Sequence, residues 1–455
     1  LLLKAAFNHQ HIFIDPGPDP VKSSRERLRL FKAPHLAWAD YDRRAISRGG
    51  GVYLRSSKKI ALSAQASAML QIPSRHASGE EVIRAILKMP VDLLYNGGIG
   101  TYVKASSENH AEVVDPSNDR VRVNASELRC RMVGEGGNVG FTQAARIEFS
   151  KAGGRINTDA IDNSAGVDLS DHEVNLKILL KGSNVTGSRR NVILRRLTGG
   201  VCRSVLLDNF LQSRILTVEE WRSRREIGLY PRLMDHLTAA MGMSREIEEL
   251  PSDKEIAVRA KSGAGLCRPE LAVLLAYVKL SIDRSLLEES SGGVHLASDP
   301  LFKQFLSGYF PPNLAKSYRR HILKHALAEQ ITATAVSNAF VNRAGLTLAF
   351  RLHEETGQSL ASVVRAYLTA DQLADAGRIR DQIVREYRPR GSHAAGKIPP
   401  EVSGLCALEE GLAEITSWLM QEYHAGRFAE AMSRFPDIAG LMDLKVASAK
   451  LRALR

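Results

Sequence analysis

The chain has 455 residues, 44% of them apolar and 25% charged, with a net charge of +12. This is an ordinary globular composition, long enough for two or more domains with their own cores. No apolar run approaches the ~18 residues of a transmembrane helix, and the longest aliphatic patch, Leu271 to Val278, is far shorter. A membrane partner is therefore not expected.

In chain order, Leu1-Leu2-Leu3 leads without a signal-peptide layout into a predicted strand at 11–14. The expectation is a piece of a longer protein, cut inside a folded region. The strand Ile12-Phe13-Ile14 ends at Asp15 and is broken by Pro16, Gly17 and Pro18. Ser24 to Phe31 reads as a helix. Ser78 and Glu81 form a capping box before the periodic Val82, Ile83, Ile86 and Leu87, and Pro90 stops that helix. A strand at 91–95 runs into Asn96-Gly97-Gly98-Ile99-Gly100. A strand at 131–133 meets the glycine-rich turn Gly134 to Gly140, a helix follows near 142–151, and a strand is expected at 155–158. Short apolar runs alternating with helices predict a mostly parallel sheet.

Beyond about residue 180 the strand signals stop. Helical periodicity covers roughly 218–241, 268–289, 314–328, 330–355, 371–387 and 405–430, with Pro269 suited to a first helical position and Gly357 to a helix end. Arg388 to Pro400 reads as a Pro/Gly-rich linker or loop. The fold class is an α/β, partial Rossmann-like parallel sheet over 1–185, followed by an all-α domain over 186–455.

Cys130, Cys202, Cys267 and Cys406 are far apart and form neither a CxxC pair nor zinc spacing. They read as reduced thiols of a cytoplasmic protein. The arginines are scattered through helical patterns without a zinc-finger or RNP signature, so no nucleic-acid partner is expected despite the charge. His321 and His325 are four apart, but Ile322 stands where HExxH needs Glu. His9 and His11 lack a third ligand, so no metal site is expected. Lys151-Ala152-Gly153-Gly154-Arg155 sits between a helix and a strand and reads as a connecting turn.

Several residues have the chemistry of a dinucleotide site. An acidic residue closing a strand, as Asp15 does, accepts hydrogen bonds from adenosine ribose hydroxyls and favours NAD over NADP; the competing reading is a turn cap. The glycine turn that should lie ~20 residues earlier is outside this sequence. The turns around Gly97, Gly98 and Gly136 let backbone approach a ligand, or are tight packing turns. An amide such as Asn163 pairs donor-to-acceptor with a nicotinamide carboxamide. Ser170, with Glu173, is placed at the start of the next helix, where its hydroxyl caps the helix or meets a carboxylate.

Taken as an ordered series, these segments resemble the second half of the NAD-binding domain of glutamate dehydrogenases. Glu135-Gly136-Gly137-Asn138 stands for the family's E-G-A-N. Thr158-Asp159, Asn163-Ser164-Ala165-Gly166-Val167, Ser170 and Glu173 follow in register. Val91 to Gly98 is similar to the family's segment beside the nicotinamide ribose. Phe7 to Pro16, Trp38 to Asp42, Gly49 to Val52, Leu93 to Val103, Cys267 to Tyr277 and Asn338 to Gly345 resemble the large bacterial NAD-specific members, across nearly the whole chain. Gly137 for Ala and Ser164-Ala165 for Ala-Gly are the departures.

The resemblance implies oxidative deamination of L-glutamate to 2-oxoglutarate and ammonia with NAD as cofactor, in a homo-oligomer. It implies that Asp15 binds the adenosine ribose, that Asn96, Gly97, Gly98, Gly136 and Asn138 line the cofactor cleft, that Asn163 holds the nicotinamide and that Ser170 contacts the substrate carboxylate. The family's catalytic lysine and aspartate are expected upstream of residue 1, so a fragment of this extent is expected to be inactive alone. Two alternatives stand: another amino-acid dehydrogenase, disfavoured by a hydroxyl at Ser170, and a non-catalytic nucleotide-sensing or assembly module built on the helical half.

Overall fold

The computed structural model describes residues 1–293, 295–386, 398–425 and 427, and they form two compact units, Leu1–Asn163 and Ser164–Arg455. The chain is mostly helical, with small sheets, two of them parallel pairs.

The first unit opens with β1 (Ala5–Phe7) and β2 (His11–Ile14), followed by α1 (Pro20–Lys32) and β3 (Gly51–Leu54). The strand at 11–14 lies in an antiparallel sheet of order β1-β2-β3, not in the parallel sheet predicted for it. The cause is local. Asn8 Oδ1 accepts from the backbone of Gln10 at 2.8 Å and His11 at 2.7 Å, folding the chain into a tight hairpin. Then come β4 (Ile60–Ala61), α2 (Ala64–Leu70), β5 (His76–Ala77), α3 (Gly79–Leu87), β6 (Leu93–Asn96), β7 (Val103–Lys104), β8 (Val123–Asn124), β9 (Met132–Glu135), α4 (Gln143–Lys151) and α5 (Asp159–Asp162).

The Ser78–Glu81 capping box starts α3 as the sequence predicts, and Thr142 caps α4. β6 pairs with β9 in parallel, Asn96 opposite Glu135, and β7 pairs in parallel with β8. The strand predicted at 155–158 shrinks to one parallel bridge, Arg155 to Met132. Thr158 there already holds the extended N-cap position of α5. Ile12, Ile14, Val82, Val103, Val133 and Phe141 share one apolar core beneath these small sheets.

The second unit contains α6 (Ser164–Gly182), α7 (Gly187–Arg225), α8 (Tyr230–Met241), α9 (Asp253–Ser262), α10 (Arg268–Ser291), α11 (Lys303–Tyr309), α12 (Pro312–Ser317), α13 (Arg319–Ile322), α14 (Ala328–Ala344), α15 (Leu348–Thr356), α16 (Leu360–Leu373), α17 (Ala376–Glu386) and α18 (Pro400–His424). Among its described residues there is no strand. Most of the linker read at 388–400, and the end of the helix read at 405–430, lie outside the described residues.

The division at Asn163 falls earlier than the boundary at 185, because Leu176, Leu179 and Leu180 of α6 bury against Val201, Val205 and Leu306 of the helical core. Pro269 occupies the first turn of α10, and Gly357 ends α15 in the left-handed conformation.

The helix expected over 330–355 is two helices, separated at Gly345. Gly345 has φ +85° and ψ −161°, a region open almost only to glycine. A Cβ there would also collide with the side chains of Arg222 and Glu219. Arg222 Nη1 donates to the Ala344 carbonyl at 3.0 Å, and fully buried Glu219 accepts from Tyr230 Oη at 2.8 Å. Gly345→Ala is therefore expected to cost about 1–3 kcal/mol from the backbone alone. It should appear as a lower urea midpoint with an unchanged slope.

Candidate functional site at the strand ends

Parallel strands β6 and β9 end side by side, and each runs into a glycine-rich turn. The Asn96 carbonyl accepts from Gly136 N at 2.7 Å and Gly137 N at 3.1 Å, tying the two turns together. The Asn96 side chain folds back, its Oδ1 accepting from Gly98 N at 3.1 Å. Gly137 packs so closely on the Gly98 carbonyl that a Cβ would overlap it, which accounts for glycine where the resembled motif has alanine. Gly97, Gly98, Gly136 and Asn138 are exposed along this lip. Asn163, which caps the end of α5, donates from Nδ2 to Oδ1 of Asn138. The structure thus brings Asn96, Gly97, Gly98, Gly136, Asn138 and Asn163 to one edge.

Arg146, which holds this edge through Glu135, was not singled out in the sequence. Glu135, fully buried at the end of β9, makes a two-point ion pair with Arg146 of α4, Nε to Oε2 at 2.7 Å and Nη2 to Oε1 at 3.0 Å. Arg146 also reaches Asp159 Oδ1 at 3.2 Å. Phe141 N donates to Glu135 Oε1 at 3.2 Å. Asp159 Oδ2 accepts from Val139 N at 2.7 Å, and Asp162 Oδ2 from Glu135 N at 2.9 Å. Burial pushes the Glu135 carboxyl up, while the guanidinium opposes that shift. Val139 sits at φ +53°, a costly conformation for a β-branched residue. Two hydrogen bonds hold it there, the one to Asp159 and one from Thr101 Oγ1 to its carbonyl at 2.7 Å. The available signal was an arginine on the buried side of α4, beside Ala145 and Phe149.

Other predicted residues are placed differently. Asp15 follows β2, in a separate sheet from β6 and β9. It is fully buried, and its Oδ1 accepts from the backbone and hydroxyl of Ser47. Ser170 does not open a helix. Helix α6 begins at Ser164, and the Ser170 hydroxyl donates back to the Gly166 carbonyl at 3.1 Å. Glu173 pairs along the helix with Lys177. His9 and His11 line a cavity of about 630 Å³ with Arg55, Glu80 and Arg120. His325 uses both ring nitrogens, one toward the Asn175 carbonyl and one for the Leu327 amide.

Residues 1–219 match the family described as bacterial NAD-glutamate dehydrogenase, catalytic domain, and residues 263–387 match glutamate dehydrogenase, C-terminal. The chain belongs to the bacterial NAD-glutamate dehydrogenase family. It is 46% identical over 372 residues to the NAD-specific glutamate dehydrogenase of Pseudomonas aeruginosa, covering 81% of this chain and 23% of that protein. The NAD-specific glutamate dehydrogenase of Mycobacterium tuberculosis is 44% identical over 387 residues, covering 83% of this chain and 24% of that protein. That of Halomonas elongata is 41% identical over 426 residues, 92% and 26%. The chain spans about a quarter of the length of the curated relatives it matches.

Removing one partner of a buried ion pair strands the other. Arg146→Met should therefore destabilise the first unit by about 3–5 kcal/mol, read as a lower denaturation midpoint.

Proposed function

We propose that this chain supplies the nicotinamide side of an NAD-dependent glutamate dehydrogenase, catalysing oxidative deamination of L-glutamate to 2-oxoglutarate and ammonia. The observation that carries this reading is the parallel pair β6–β9. Its two glycine turns and the Asn138–Asn163 amide pair meet at one edge, inside the segment that matches the catalytic-domain family. Ligands of parallel sheets bind beyond the carboxyl ends of the strands, and the small sheet is read here as part of a Rossmann-like unit. The names of all three relatives support NAD and glutamate.

In this reading Asn96, Gly97, Gly98 and Gly136 form the backbone lip against which the cofactor lies. Gly98 has open space around the position of a Cβ, so a flat ring can approach its backbone closely. Asn138 and Asn163 present amides to the carboxamide, and their mutual hydrogen bond fixes both orientations before the ligand arrives. The bound cofactor supplies the hydride acceptor; the protein supplies orientation and electrostatics. Asp15 serves the adenosine ribose only if the ribose displaces the Ser47 hydroxyl from its carboxylate. Ser170 is assigned to the substrate carboxylate, exchanging its bond to the Gly166 carbonyl for one to the ligand. A homo-oligomeric assembly and a cytoplasmic setting complete the proposal; the four cysteines are free thiols, which suits a reducing compartment.

Steady-state kinetics of the full-length enzyme, varying NAD and glutamate separately, test this assignment. Asn163→Ala should raise the NAD requirement and lower turnover by about 5- to 150-fold, the equivalent of losing one hydrogen-bonding partner. Ser170→Ala should act on the glutamate KM and leave NAD nearly unchanged. NAD affinity indifferent to Asn163→Ala would sink the cofactor assignment, and a Ser170→Ala effect confined to NAD would sink the substrate one.

A further inference from the structure

The helical unit holds a group of buried ionisable side chains with no part in the proposal above. Asp168 and His172 lie four residues apart on α6, a spacing that puts both on one face. Asp208 comes from α7. One donor atom from each of the three lies within 4.8 Å of the other two. His172 Nε2 stands 3.7 Å from Asp168 Oδ1, beyond hydrogen-bond reach. Ligands about 2.1 Å from a tetrahedral zinc ion are separated by about 3.4 Å, close to the 3.7 Å between His172 and Asp168 and shorter than the 4.8 Å bound on the whole cluster.

The imidazole is held for such a role. His172 is 2% exposed, and its ring stacks on Tyr309 with centroids 4.2 Å apart. Tyr309 is fixed in turn by Asn175, whose Nδ2 donates to its hydroxyl at 2.9 Å. Yet His172 Nδ1 is buried without a hydrogen-bond partner among the described residues. Buried polar groups are normally satisfied, and Nδ1 is an exception, while Nε2 faces Asp168 without a hydrogen bond. Lys279 of α10 feels both carboxylates, but its ammonium is also buried without a hydrogen-bond partner, so it does not close the cluster. Burial pushes the Asp208 carboxyl up to about 6; Asp168 adds to the shift and Lys279 opposes it.

We propose that Asp168, His172 and Asp208 form a site for one divalent transition-metal ion, Zn²⁺ by the match of one imidazole and two carboxylates, that pins α6 to α7. This donor set with remaining positions open to water suits a borderline ion better than the all-oxygen shell of Mg²⁺ or Ca²⁺. The competing occupant is the Lys279 ammonium itself, and the two make opposite predictions.

The test uses the whole chain, stripped with a chelator and titrated with Zn²⁺ by calorimetry and with Co²⁺ by visible d–d absorption. The wild type should take up one equivalent and melt at a higher temperature with metal. His172→Ala and Asp208→Asn should each weaken uptake by more than about tenfold and abolish the Co²⁺ spectrum, with unchanged far-ultraviolet circular dichroism. Asp168→Asn provides a third arm should either variant fold poorly. Lys279→Met should bind metal at least as tightly as the wild type. No stoichiometric uptake by the wild type, uptake that survives both His172→Ala and Asp208→Asn, or uptake that appears only in Lys279→Met would each overturn the proposal.

Discussion

The ion pair of Glu135 with Arg146 is the constraint on which the strand-end geometry rests. Glu135 is the last residue of β9, so its carboxylate is carried into the interior by the same parallel register that sets Asn96 opposite it. Two guanidinium bonds fix α4 against the strand, and the same guanidinium reaches Asp159 at the start of α5. The turn from Gly136 to Gly140 is therefore clamped at its base by charge, beside the apolar contacts of Val133 and Phe141. A glycine-rich segment would otherwise be the most entropic stretch of the unit. The clamp lets the exposed lip consist of backbone and small amides.

That clamp explains how far the site was legible in advance. Glu135-Gly136-Gly137-Asn138 and Asn163 were readable because glycine and asparagine in a strand-end turn carry a recognisable chemical meaning. Arg146 was not, because a charged residue in a helix is ordinarily a solvated one, and its one signal was its place among the buried Ala145, Ile147 and Phe149. Local elements with local causes came through well: the Ser78–Glu81 capping box, Pro269 at a helix start and Gly357 at a helix end. Elements whose fate depends on pairing did not. The apolar run 12–14 is equally compatible with a parallel or antiparallel neighbour, and the Asn8 turn decided between them. Arg155 to Thr158 had the residues of a strand, but the chain turns into α5 after a single bridge.

The helical unit shows the same division. Periodicity marked α8, α10, α14 and α18 but left out α9, α11 and most of α16. It also missed the interruption at Gly345 and the unbroken run of α7 from Gly187 to Arg225. Periodicity reports which face is apolar, and both events are set by contacts from elsewhere in the fold. At Gly345 it is the Glu219–Arg222 pair that demands a residue without a side chain. The Asn342-Arg343-Ala344-Gly345 segment, noted in the sequence for its family resemblance, acquires a physical role here. Ala344 offers its carbonyl to Arg222, and Arg343 Nη1 reaches Asp371 at 2.9 Å.

Two other buried carboxylates of this unit are matched by arginine and tyrosine donors. Glu219 accepts from Arg222 and Tyr230. Glu409 accepts from Tyr367 and from Arg380 Nε at 2.8 Å, while Arg380 also donates to Asp371. Each of these networks contains its own guanidinium, so desolvation is offset within the group. The cluster of Asp168, His172 and Asp208 departs from that pattern. It has two carboxylates and an imidazole but no guanidinium, and the one ammonium nearby makes no hydrogen bond among the described residues. Its two carboxylates and its imidazole therefore depend for balance on the Lys279 ammonium or on the ion proposed above.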